Sequence, residues 1–383
     1  MPPTPSDGIA IDPGIVYFNH AAVAPWPVRT VEAVKRFAEE NGRRGAAAYP
    51  QWLDVEHRLR VHLARLINAP LAEDVALVKN TSEALSMVAY GLDWRPGDNL
   101  VIFQGEFPSN RIVWESLSAR GVEVRQVPLD GHSPSPEDDL LAACDRRTRL
   151  ISLSSVQYAT GFRSDLARVG AFCRDQGVLF CVDAIQSLGA VPFDVQAVGA
   201  DFVAADGHKW LLGPEGLGLF YCRAELRERI ALHEFGWHMV DSPGDYDQQT
   251  WRPAQTAMRF ECGSPNMLGA HALEASLGFI HEAGMERIYN NIIRNTAYIF
   301  EKIEENRLLE LLSPAAPSRR SGIVTFRMKG ADSRVLHHFL MENGVICAAR
   351  GGGVRFSPHF YNGPRDIDAA LEILSRFERT SGR

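Results

Sequence analysis

Short apolar runs alternate with amphipathic stretches from residue 75 to residue 221, at about twenty-five residues per repeat. No other feature narrows the possible folds so far. Each run is too short for a helix, is rich in Val, Ile, Leu and Phe, and ends at turn residues. That pattern marks a strand buried on both faces. The expected strands are 75–78, 100–103, 122–127, 150–154, 178–182, 202–205 and 218–221. Helices are expected from the Asn80-Thr81-Ser82-Glu83-Ala84 turn through Tyr90, over 111–120 and over 166–176. A strand lying parallel to its predecessor needs a crossover of about a dozen residues or more, usually a helix. The repeat supplies one each time, so the fold class is α/β, with a mainly parallel sheet covered by helices on both faces.

Beyond residue 222 the pattern changes. Residues 223–265 carry Pro243, Gly244, Pro253 and the aromatic residues Trp237, Tyr246, Trp251 and Phe260, and read as a loop-rich connection. A long helix over 267–304, broken near Gly284, leads to a strand at 323–328, a helix at 333–343, a strand at 354–357 and a final helix at 365–376. At 383 residues two domains are expected. The division is a large domain over 15–265 and a small C-terminal α+β domain over 266–383. Packing of residues 1–14 on the small one is left open.

Composition excludes some functions. A net charge of −7 argues against nucleic acid or an anionic membrane as the main partner. The six cysteines form no CxxC pair and no metal-like spacing with His, so no metal is expected. Cys173 and Cys181 fall in or beside apolar runs and read as core thiols. Scattered thiols, no run apolar enough to span a bilayer and an N-terminus without a basic and apolar leader point to the cytoplasm.

The chemistry concentrates between Cys181 and Phe220. An apolar run ends on Asp183, a second apolar run follows, and His208-Lys209 precede a Gly/Pro-rich turn. A carboxylate at one strand end and a lysine on the loop after the next suit pyridoxal phosphate. The lysine would carry the cofactor as a Schiff base, and Asp183 would pair with the protonated pyridine nitrogen. At an effective dielectric near 20, charges ~4 Å apart attract by ~4 kcal/mol. That is about three pKa units, enough to keep a pyridinium charged at neutral pH.

The segments D-A-I-Q (Asp183 to Gln186) and G-H-K-W-L-L-G-P resemble the class V aminotransferase family, a branch of fold-type I pyridoxal-phosphate enzymes. Cysteine desulfurases, selenocysteine lyase, isopenicillin N epimerase and kynureninase belong to that branch. The resemblance implies a seven-stranded large domain and a homodimer with an active site shared across the interface. It places Thr81, Ser82 and His208 at the cofactor phosphate and Gln186 near the ring region. Phe107 stands where relatives stack a His or an aromatic residue on the ring, and Gln157 lies near the cofactor's 3′ oxygen. Gly263 and Ser264, in R-F-E-C-G-S-P-N, correspond to a segment that reaches the neighbouring subunit's phosphate. Read from the residues alone, Ser264 and Pro265 could equally start a helix as N-cap and first helical residue. Asn80 with Glu83 reads likewise as an N-cap with a capping-box-like Glu.

Substrate residues follow from the same resemblance. Arg355 matches the Arg that grips an α-carboxylate, Arg350 lies beside it, and Asn19 and His20 match an N-terminal substrate segment. Two departures matter. Relatives often place Ser three residues before the lysine, where this chain has Asp206, which a phosphate dianion would repel. Desulfurases also carry a mobile loop with a nucleophilic Cys before the Arg, whereas this chain runs from Arg350 through three glycines to Val354 and Arg355. Lys209 and Asp183 are the expected catalytic residues and an amino acid the expected substrate. The reaction expected first is carbon–sulfur β-elimination, with aminotransfer or epimerisation as alternatives. A non-catalytic cofactor-binding protein is the alternative of another class; a lost lysine would favour it, and Lys209 is present.

Overall fold

All seven expected strands form and join one sheet in the computed structural model, which describes residues 8–129, 133–247 and 249–381. After a short β1 (Val16–Tyr17) they are β2 (Val75–Val78), β3 (Asn99–Phe103), β4 (Glu123–Val127), β5 (Thr148–Ser154), β6 (Leu179–Asp183), β7 (Phe202–Asp206) and β8 (Gly218–Cys222). Their order across the sheet is β2-β8-β7-β6-β5-β3-β4, and only β8 runs against its neighbours. The sheet is therefore mainly parallel, as expected.

Helices α1 (Val28–Arg44), α2 (Tyr49–Ile67), α3 (Thr81–Gly91), α4 (Ser109–Glu115), α5 (Pro136–Ala142), α6 (Leu166–Gln176), α7 (Val195–Val198), α8 (Met267–Ala283) and α9 (Met285–Glu305) accompany it. Side chains alternate between two cores, as a pleat requires. Val101, Phe103, Ile151, Leu153, Phe180 and Val182 face a core shared with α2, α6 and α8. Leu100, Ile102, Leu150, Cys181, Phe202 and Ala204 face another shared with α3 and α4. Cys173 and Cys181 are buried in these cores, as expected. Gly284, at φ +80°, separates α8 from α9 where the break was expected. The helix expected over 111–120 is instead α4 followed by a 3-10 turn, Ser116–Arg120. Asn80 does cap α3, accepting from the Glu83 N–H at 2.9 Å, while the Glu83 carboxylate reaches back to the Lys79 N–H.

The C-terminal sheet contains β9 (Leu309–Leu311), β10 (Val324–Met328), β12 (Ala348–Arg350) and β13 (Gly353–Phe356), all antiparallel, in the order β12-β13-β10-β9. β11 (Val345–Ile346) pairs instead with β1. Helices α10 (Ser333–Glu342) and α11 (Pro364–Ser381) bury Leu336, Leu340, Ile367 and Leu374 in a third core, with Phe18, Ile299 and Phe300. Ile9 packs instead in the first core, and residues 1–7 lie outside the described residues. Because α8 belongs to the first core and the end of α9 to the third, we propose that these two helices join the domains. Among the described residues no helix is long and apolar enough to cross a membrane.

Candidate functional site

Pairing of Val78 and Asp206 with Gly218 puts the C-terminal ends of β2 and β7 on one edge. The parallel register puts the ends of β3, β5 and β6 there too. Ligands of open α/β sheets bind outside this edge. Asp183 is the last residue of β6, and Lys209 stands in the loop after β7. Thr81 opens α3 after β2, Phe107 precedes α4 after β3, and Gln157 follows β5. The small sheet adds Arg355 from β13, whose Nη1 donates to the Tyr158 carbonyl at 2.6 Å, and Arg350 from the end of β12.

Burial dominates the electrostatics. It pushes Asp183, 2% exposed, up to about 6, against the pull of the Ile185 N–H (3.0 Å) and the charge of Lys209. It brings Lys209, 7% exposed, down to about 8; Asp183 opposes that shift while Arg355 and Arg350 reinforce it. Arg355 is itself brought down to about 10, by burial and then by Arg350. One buried ammonium with two guanidiniums in electrostatic reach makes a place for an anion. Lys209 Nζ lies 5.4 Å from the centre of the Phe107 ring, and that ring meets Tyr158 edge-on at 5.1 Å.

Four buried polar atoms here have no hydrogen-bond partner among the described residues: Thr81 Oγ1, His208 Nδ1, Arg355 Nε and Asn19 Oδ1. Such atoms are costly unless something pairs with them. Thr81 Oγ1 sits in the first turn of an eleven-residue helix, where N–H groups and the dipole favour a phosphate. Ser82 is exposed beside it and donates to Ser109 Oγ at 2.8 Å. Arg355 Nε suits a carboxylate. The residues present thus fit pyridoxal phosphate and an amino acid. Asp206 Oδ1 accepts the Gly207 N–H at 2.8 Å and stands 3.1 Å from His208 Nδ1, without a hydrogen bond to that nitrogen.

Other expected residues have protein partners in this structure. Gln186 donates to the Ala21 carbonyl at 3.0 Å and accepts from the Trp210 indole at 2.9 Å. Gln157 donates to the Gly105 carbonyl and accepts from Ala159 and Thr160, which braces the turn after β5. His20 requires a correction. It is fully buried, with its ring nitrogens on the Ser357 carbonyl (2.8 Å) and Tyr361 Oη (2.5 Å), so it has no atom to offer a substrate. Ser264 is not the cap of α8: Asn266 caps it, accepting from the Gly269 N–H at 2.9 Å, and Ser264 is exposed outside the helix. Gly263 is half-buried next to it, and Arg350 is exposed. Tyr158 and Trp210 were not among the expected residues. Each lies next in the chain to one that was, but its contacts come from remote segments.

The class-V aminotransferase family model matches residues 16–369. A probable cysteine desulfurase of Methanothermobacter thermautotrophicus is 31% identical over 94% of this chain and 94% of its own length. The cysteine desulfurase of Cronobacter sakazakii is 29% identical over 96% of this chain and 94% of its own. Among solved structures, the cystine C–S lyase C-DES, in complex with its product cysteine persulfide, superposes with a TM-score of 0.87. It is 25% identical, covering 94% of this chain and 97% of its own. The cysteine desulfurase CsdA from Escherichia coli gives 0.85 at 26% identity, covering 97% of this chain and 96% of its own. With sheet order, site and whole-length similarity in agreement, the chain belongs to the class-V aminotransferase family and is a pyridoxal-phosphate-dependent enzyme.

Proposed function

We propose that the protein is a carbon–sulfur β-lyase acting on a cysteine-derived amino acid without a cysteine nucleophile of its own. The hairpin between Arg350 and Arg355 carries this reading. Gly351 and Gly352 have φ of +58° and +79°, and Arg350 faces Gly353 across them. Positive φ at both central residues is what a two-residue hairpin turn of type I′ demands. A chain that turns back in two residues has no length with which to swing a thiol toward a substrate. Cys347 precedes the hairpin, is 2% exposed, and its thiol is pushed up by burial to about 12. It is therefore neither accessible nor ionised at neutral pH. The likeness to a cystine C–S lyase supports the same reaction class.

Pyridoxal phosphate supplies an electron sink at the substrate's α-carbon. In this reading Lys209 would be the residue that holds the cofactor, and its Nζ, when free, would accept the α-proton of the substrate. An amine brought down to about 8 suits a base working near neutrality. Asp183 would pair with the pyridine nitrogen and Phe107 would pack on the ring, while Gln157 and Gln186 brace the neighbouring loops. Thr81, Ser82 and His208 would hold the phosphate, and Gly263 and Ser264 of a second copy would join them in a homodimer. Arg355 grips the α-carboxylate, with Arg350 and Asn19 beside it. The proton moves from Cα to Nζ, and the Cβ–S bond breaks with its electrons going to sulfur. Water then releases pyruvate and ammonia from the three-carbon remainder.

Product analysis tests the reading. Holoenzyme given cystine or a cysteine S-conjugate is expected to yield pyruvate and ammonia in equal amounts, and Cys347→Ser is expected to keep most of that turnover. Alanine from cysteine, with a persulfide trapped on Cys347, would overturn the lyase assignment. A keto acid from another amino donor, with the cofactor left as its amine, would mean aminotransfer. Arg355→Lys keeps the charge but loses the planar fork, so kcat/KM should fall by about 10- to 150-fold. Cofactor absorbance should not change. Equal activity on an amino acid and its decarboxylated amine would contradict the role of Arg355.

A further inference from the structure

We propose that Glu106 is a positioning residue: it locks the turn that carries Phe107 onto the end of β5 and so sets where that ring stands opposite Lys209. The inference rests on the reading of Lys209 as the cofactor lysine. Glu106 is 5% exposed, follows β3 and immediately precedes Phe107. Its Oε1 accepts the Ser154 N–H at 2.8 Å. Its Oε2 accepts from Asn110 Nδ2 at 3.0 Å and from the Ser154 hydroxyl. Ser154 is the β5 residue paired in register with Asp183 on β6. The turn is thereby fastened to the strand beside the carboxylate that matters most.

The cluster permits a carboxyl group and little else. The Trp114 indole can only donate, and it donates to Asn110 Oδ1 at 2.9 Å, where the Ser152 hydroxyl also donates at 2.6 Å. Asn110 Oδ1 is therefore committed, and its Nδ2 must face Glu106. Both oxygens of Glu106 thus meet fixed N–H donors, from Ser154 and Asn110. A glutamine would turn its own NH2 against one of them. Asn110, Trp114 and Ser152 are fully buried, so water cannot mediate. Phe107 itself is 37% exposed and touches Tyr158 only edge-on, so its place depends on the backbone that Glu106 holds. Burial raises Glu106 to about 7, and Asp183 is the charged group acting on it, so its ionisation is felt at the site as well.

Glu106→Gln tests this, with Glu106→Gln/Asn110→Asp as the rescue. In the double variant the new amide donates to the new carboxylate, which still accepts from Trp114 and Ser152. The single variant should lower kcat more than it raises KM, with kcat/KM down about 10- to 100-fold. It should also shift the pH midpoint of the lysine–cofactor absorbance band. Hydrogen exchange over residues 104–112 should quicken even in the cofactor-free protein. The double variant should restore the exchange rate and most of kcat. Wild-type exchange in Glu106→Gln, or a folded double variant no better than the single, overturns the proposal. Failure of both variants to fold does so too, by making Glu106 a folding residue. A missing band in the wild type would instead count against Lys209, because the exchange experiment does not depend on the cofactor.

Discussion

Lys209→Ala is expected to lower turnover by about 10³-fold or more, since the variant loses its proton-transfer group as well as the cofactor's covalent anchor. The fold should survive. Lys209 is buried at a loop on the carboxyl edge, and burying its charge costs stability rather than adding it. Folded variant protein without the visible lysine–cofactor band, but still able to take up the cofactor through Thr81, Ser82 and His208, is the expected picture. Added alkylamines should recover part of the rate by supplying the missing base. Full turnover in the variant would remove Lys209 from the chemistry.

Asp183→Asn should be nearly as damaging, at roughly 10²- to 10³-fold in kcat, if the ~4 kcal/mol of a close ion pair is lost from the pyridinium. Its effect on stability should have the opposite sign. Burial lifts Asp183 from an ordinary 3.8 to about 6, so the folded cofactor-free protein holds this proton more tightly than the unfolded chain does. The stabilisation is complete below about pH 4 and is lost as pH rises through about 6. It amounts to about 3 kcal/mol. Asn removes that dependence. Cofactor-free Asp183→Asn should therefore melt higher than the wild type at pH 8, with a flatter dependence of Tm on pH. A substitution that stabilises the fold and disables the enzyme marks a residue kept for chemistry. Equal melting curves and equal kcat would contradict both parts.

Six of the seven strands of the large sheet were legible because their faces are largely buried, which leaves near-continuous apolar runs between turn residues, while the edge strand β4 showed through its alternating valines. Helices α1 and α2 were not read in advance. α1 starts at Pro27 without a side-chain cap and buries only Thr30 and Ala33, so its sequence lacks the usual signals. β9, β11 and β12 have two or three residues each and exist through their partners, which no local pattern announces. At the site, Asp183 and Lys209 stood out because each follows an apolar run. What Gln157, Gln186 and His20 do could not be read in the same way. Their partners, Gly105, Ala21, Trp210, Ser357 and Tyr361, come from elements that meet only in the folded chain. Glu106 lies next to Phe107, but a buried carboxyl between fixed donors has no sequence signature.

Borohydride reduction of the purified yellow protein, followed by peptide mass mapping, tests the central claim most directly. A reduced pyridoxyl-phosphate adduct is expected on the peptide containing His208, Lys209 and Trp210, in a ratio of one per chain, and absent from Lys209→Ala. An adduct on any other lysine, or a cofactor released intact after reduction, would contradict the account.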